Sequence, residues 1–232
     1  MGKTIIQQAR GHGSMTYQVR KKAYIYRIGY PRNLTGIGEV ARLFNSSAHS
    51  TPMAEIRWQG KKFYIPAFKG MYEGQEINFN EKTIIEGNIL KLKDIPINTN
   101  IYCIESRPND GGVFVRTSGN NAVVNRVVGE KIEILMPSKK GKEFNENCRA
   151  VIGVIAGAGR LDKPFVKAGS KFFKMKARNK FWPRTSAVKF NAIDHPFGSG
   201  RGKRIKSKIA KRNAPPGAKV GLIRPKRTGR KR

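Results

Sequence analysis

Ala54-Glu55-Ile56-Arg57-Trp58-Gln59-Gly60-Lys61-Lys62-Phe63-Tyr64-Ile65-Pro66 is the stretch on which the fold turns. Two short runs flank Gln59-Gly60, and a glycine-containing pair between such runs predicts a β-hairpin. Upstream, Gly36 to Phe44 alternates weakly and ends in Asn45-Ser46-Ser47. Downstream, Glu76 to Phe79 adds a short strand. A polar link then leads to a second series: Thr83 to Leu92, Ile101 to Glu105, Gly112 to Arg116, Ala122 to Val128, Lys131 to Met136 and Cys148 to Ile155. The loops carry turn chemistry, as in Pro108-Asn109-Asp110-Gly111-Gly112, Ser118-Gly119-Asn120-Asn121 and Val128-Gly129-Glu130. Many short strands at this spacing predict an all-β chain built as two small barrels, residues 31–82 and 83–165. No long helical period stands out. Ala210 to Arg212 and Lys174 to Arg178 are expected to form a turn or two at most.

Charge divides the chain the same way. Residues 1–30 carry six Lys or Arg and no acid. Residues 31–83 are net +2 and residues 84–165 net +3. Residues 166–232 carry 22 Lys or Arg against Asp194 alone, so they hold +21 of the formal +32. Cations at that density cannot be buried cheaply, and a polyanion is the partner that neutralises them along their length. A balanced middle between a basic N-terminal arm and a long basic C-terminal tail predicts a globular body with anion-binding extensions.

Other classes fare poorly. Cys103 and Cys148 are 45 residues apart, outside any Cys-x-x-Cys pair, and His12, His49 and His195 are scattered. No metal site is expected, and the cysteines read as reduced core thiols. Met1 to Arg10 lacks the apolar core of a secretory leader, and no stretch approaches a membrane span. Gly153, Gly157 and Gly159 have the wrong spacing for a dinucleotide fingerprint, and Gly202-Lys203 fails as a phosphate loop because Phe197 and Arg204 stand where Gly and Ser or Thr are needed. Asp194 and His195 are adjacent and diverge in an extended segment, with no nucleophile beside them. No catalysis, cofactor or small-molecule substrate is expected.

The tail interleaves Phe172, Phe173, Phe181, Trp182, Phe190 and Phe197 with its charges. Such rings stack on unpaired bases or form a local anchoring core, and the anchoring role is expected for Phe172, Phe173 and Trp182. A DNA-compacting protein shares the charge. Folded RNA is the expected polyanion, because its phosphate-lined channels admit a glycine-containing strand that orders on binding. Residues 195–232 would reach roughly 125 Å when fully extended.

The wording of several segments is similar to one family. Val151 to Arg160, Asp162 to Gly169, Lys174 to Arg178, Trp182-Pro183, Asn191 to Gly198 and Arg212 to Gly217 through Gly229 resemble the universal large-subunit ribosomal protein L-two, in its archaeal type. Gly11 to Thr16 and Cys103 to Gly112 extend the match. The resemblance implies an OB-type barrel followed by an SH3-like barrel. It implies direct binding to large-subunit ribosomal RNA, a role in joining the subunits through small-subunit RNA at a bridge, and neighbouring ribosomal proteins as partners, in the cytoplasm and with no membrane. The residues expected to meet RNA are Arg10, Lys167, Lys171, Lys174, Lys176, Arg178, His195, Arg201, Lys203, Arg204, Arg212, Lys219, Lys226, Arg227 and Arg230. The family histidine near the peptidyl-transferase centre aligns with His195, in a structural role. Two stretches depart from the family: Ser186 to Phe190, which lacks a glycine at Ala187, and Gly198 to Lys206.

Overall fold

The computed structural model describes residues 2–79, 83–199, 208–210 and 212–223. They form two compact units, residues 21–168 and residues 1–20 with 169–232.

In the first unit the hairpin dictated by Gln59-Gly60 is present. Its strands are β2 (Pro52–Trp58) and β3 (Lys61–Pro66), paired from Trp58↔Lys61 to Met53↔Pro66. Both turn residues have positive φ, +46° at Gln59 and +71° at Gly60, the twist that a tight hairpin needs. The other strands are β1 (Gly36–Asn45), β4 (Glu76–Phe79), β5 (Ile89–Lys91), β6 (Asn100–Tyr102), β7 (Ala122–Val128), β8 (Lys131–Leu135), β9 (Gly141–Asn145) and β10 (Arg149–Ile152). All ten join one sheet in the order β3-β2-β1-β4-β5-β10-β6-β7-β8-β9. The all-β class read from the sequence is therefore the one observed.

Two hydrophobic cores lie against this sheet, and the central strands serve both. Ile89, Tyr102 and Val151 pack with Val40, Ile56, Ile65 and Phe79. Their chain neighbours Leu90, Ile101, Ala150 and Ile152 pack with Val124, Ile132, Ile134 and Phe144. Side chains alternate across a strand, so a strand apolar at consecutive positions is buried on both faces. Every residue of β10 is buried, including the cation Arg149.

Cys103 and Cys148 are free and buried, as expected of core thiols. Burial pushes the Cys103 thiol up to about 12 and the Cys148 thiol up to about 11, so both are poor nucleophiles.

Several strands differ from expectation. The strand at 83–92 shrinks to β5, because Gly87 at φ +98° breaks the extended chain before it. Gly112 to Arg116 is not a strand: Gly112 and Val115 have positive φ, and only a single bridge, Ile104↔Phe114, remains. β9 was not foreseen, because Gly141-Lys142-Glu143-Phe144-Asn145 is nearly all polar. It is an edge strand that buries Phe144 alone.

The second unit is built from both chain ends. The first twenty residues, read as an arm, contain α1 (Ile6–Gly11) and a 3-10 turn at Met15–Tyr17. Gln8 Oε1 accepts the Ile5 N–H at 3.2 Å, which satisfies one backbone donor at the start of α1. The Lys3 N–H donates to Ile193 O at 2.8 Å, tying this segment to the tail. The tail holds α2 (Ala168–Ala177) and a parallel pair, β11 (Ile209–Ala210) with β12 (Leu222–Ile223). α2 corrects the expectation of a turn or two near Lys174. Ala, Lys and Met are strong helix formers, and Lys174 and Lys176 in its last turn favour the negative end of the helix dipole.

Candidate nucleic-acid interface

Unit two concentrates one sign of charge. Its described residues carry thirteen Lys or Arg and a single acid, Asp194. Even that carboxylate lies 3.9 Å from Lys3 Nζ. On α2, Lys171 and Lys174 are three residues apart and share a face, which Arg178 continues beyond the helix end. Lys176 lies on another side, its ammonium 5.9 Å from the Phe172 ring centroid, and Lys171 Nζ lies 5.4 Å from that of Trp182.

Of the aromatic anchor expected here, Trp182 is half-buried but Phe172 and Phe173 do not pack into it. Phe172 and Phe173 are 40% and 62% exposed, α2 buries no residue, and the two rings meet edge to face at 5.5 Å. A helix with cations on several sides has no apolar stripe to bury.

His195 sits in a tight loop. The Asp194 and His195 N–H groups both donate to Asn191 O, Gly198 N–H donates to His195 O, and Ser199 N–H donates to Phe190 O. A Cβ on Gly198 would collide with the carbonyl oxygens of Phe190 and Asn191, so this position admits only glycine. The imidazole lies between two rings, nearly parallel to Phe190 at 6.0 Å and tilted against Phe197 at 5.0 Å. Its Nδ1 accepts the Phe197 N–H at 3.0 Å. In the neutral ring that bond puts the proton on Nε2, which is left as a donor. Asp194 and His195 do not form an acid–base pair: one meets Lys3 and the other its own loop.

The remaining expected contacts divide plainly. Arg10 lies on α1 and is half-buried; Lys167, Arg212 and Lys219 are exposed. Arg201, Lys203, Arg204, Lys226, Arg227 and Arg230 lie outside the described residues.

The body holds a cationic groove that the sequence did not reveal. Arg27, Arg32, Lys62 and Arg116 line a depression of about 730 Å³ with the loop Asn109 to Val113. Its one carboxylate is internally occupied: Asp110 accepts the N–H groups of Ser106, Arg107 and Gly112 at 2.7, 3.1 and 3.0 Å. Arg116 is held by the carbonyls of Val113 and Ile28. Arg27 belongs to the basic first thirty residues, whereas Arg32, Lys62 and Arg116 come from stretches of nearly balanced charge. Only Arg27 and Arg32, close together in sequence, gave any signal.

Residues 85–217 match the family model for the C-terminal domain of ribosomal proteins L2. Along its whole length the chain is 43% identical to the large ribosomal subunit protein uL2 of Archaeoglobus fulgidus, over 237 aligned positions and 100% of both chains. It is 41% identical to that of Methanococcoides burtonii and 42% to that of Hyperthermus butylicus, again over 100% of each chain. The chain belongs to the ribosomal protein L2 family. L2 proteins are structural and not enzymes. The L2 domain match runs from β5 through α2 and the His195 loop to the turn at Gly217. The departure from the L2 wording at Ala187 carries no backbone strain. Ala187–Lys189 forms a 3-10 turn, and Ala187 is not among the residues with positive φ. Of the second departure, only Gly198 and Ser199 lie within the described residues.

Proposed function

We propose that this chain, a structural protein of the large ribosomal subunit, binds large-subunit ribosomal RNA directly through the basic unit made of its two ends. The observation that carries this reading is the thirteen-to-one ratio of bases to acids in that unit. The cationic groove on the body is a second phosphate contact. Residues 31–82 form the OB-type part and residues 83–165 the SH3-like part, with the N-terminal arm and the tail as extensions. The protein works in the cytoplasm, within the ribosome, among neighbouring ribosomal proteins, and it helps the two subunits associate at a bridge with small-subunit RNA. Family membership favours this over a DNA-compacting role. The protein is expected to co-sediment with large subunits after a high-salt wash and to prefer folded ribosomal RNA over duplex DNA in competition. Preference for DNA, or release in the wash, would count against the reading.

The His195 loop supports the RNA of the peptidyl-transferase region by position, not by proton transfer. What supports this is the fixed ring, held by Phe190, Phe197 and the Phe197 N–H, with Nε2 as its free donor. Large subunits assembled with His195→Ala are expected to contain the protein in normal amount but to form peptide bonds more slowly, measured as single-turnover peptidyl transfer. Unchanged rates would remove the functional role of His195.

A further inference from the structure

The second unit has a groove of about 650 Å³ between α1 and the segment from Phe181 to His195. That size falls within the range of small-molecule sites. One wall is apolar, from Ile5, Ile6 and Ala9 of the N-terminal segment, and the rings of Phe181 and Phe190 also line it. The rim carries Thr4, Gln7, Arg184, Thr185 and Ser186, all exposed. None of these five side chains hydrogen-bonds to another described residue. A groove with rings inside, unpaired donors and acceptors at the rim and a guanidinium at the mouth matches one chemistry. It suits a planar heterocycle with polar edges that carries a phosphate.

We propose that the groove receives a single unstacked nucleotide of the bound RNA. The base enters against Phe181 and Phe190, its edge meets the hydroxyl and amide groups of the rim, and Arg184 takes the phosphate. The occupant follows from charge. The surrounding unit repels cations and basic peptides; its only acid, Asp194, lines the groove but lies 3.9 Å from Lys3 Nζ, which lines it too, and RNA supplies both the phosphate and an extrudable base. The proposal rests on the RNA-binding reading but is narrower, because backbone binding alone needs no base pocket.

The test uses the full chain and two RNA duplexes that differ by one bulged 2-aminopurine nucleotide. The wild type is expected to bind the bulged duplex about tenfold more tightly, with quenched 2-aminopurine fluorescence, as stacking one base on an aromatic ring allows. Phe181→Leu should abolish that preference and leave affinity for the unbulged duplex unchanged. Thr185→Met, at an exposed position, should do the same by filling the groove without disturbing any buried residue. Equal affinity of the wild type for both duplexes overturns the pocket and leaves RNA binding standing, as does a preference that survives both variants. Failure to bind either duplex overturns the RNA-binding reading itself, and the pocket with it.

Discussion

Glu105→Ala is expected to destabilise the protein by about 3–5 kcal/mol, the usual cost of removing one partner from a buried ion pair. The Glu105 and Arg149 side chains are 0% and 5% exposed, with Oε1 and Nη2 2.8 Å apart. Glu105 also accepts the backbone N–H of Arg149 at 2.8 Å and that of Gly111 at 3.1 Å. The guanidinium carbon lies 4.9 Å from the Tyr30 ring centroid, and the Tyr30 hydroxyl reaches the carbonyls of Cys103 and Arg149. One carboxylate thus fastens the start of β10 and the loop before Gly111, and it holds the guanidinium that lies against Tyr30. Alanine would strand a buried cation and two amides. Set against a typical stability of about 5–15 kcal/mol, that loss is large. Urea unfolding should show a much lower midpoint with an unchanged slope, and Glu105→Gln, which keeps an acceptor, should fall between. A Glu105→Ala midpoint within error of the wild type would show that the pair does not hold the body together.

Deleting residues 166–232 is expected to weaken binding to large-subunit ribosomal RNA by at least about a thousandfold near 0.2 M salt. The slope of log K against log salt should also drop by about six or more, since each lost phosphate contact releases fewer counterions. The deletion removes 22 of 47 basic residues and one acid. It leaves both hydrophobic cores, which lie wholly within residues 30–155. The shortened chain should keep its β-rich circular dichroism spectrum, and its residual salt-dependent binding reports on the groove at Arg27, Arg32, Lys62 and Arg116. Binding within tenfold of the full chain at that salt concentration would show that the tail is not the main contact.

Most of the strands could be read before the structure, because each is announced locally. Gln59-Gly60 forces its own hairpin, and the runs at 122–128 and 131–136 announce themselves by composition. β9 could not be read, since an edge strand needs only one buried residue. α2 was hidden for the opposite reason: a helix without an apolar face lacks the period by which helices are recognised. Phe172 and Phe173 misled because aromatic residues usually pack, whereas here the neighbouring lysines keep the helix in water.

From the sequence alone came the all-β class, the basic ends, the absence of catalytic chemistry and the family. Charge and β-pattern are sums over neighbours along the chain, so they survive without coordinates. Tertiary structure alone brought Lys3 to Ile193 and Asp194, Glu105 to Arg149, and four separated cations around one groove. Those meetings depend on which faces the cores bury and how the chain turns between strands, and that is settled by packing over the whole molecule.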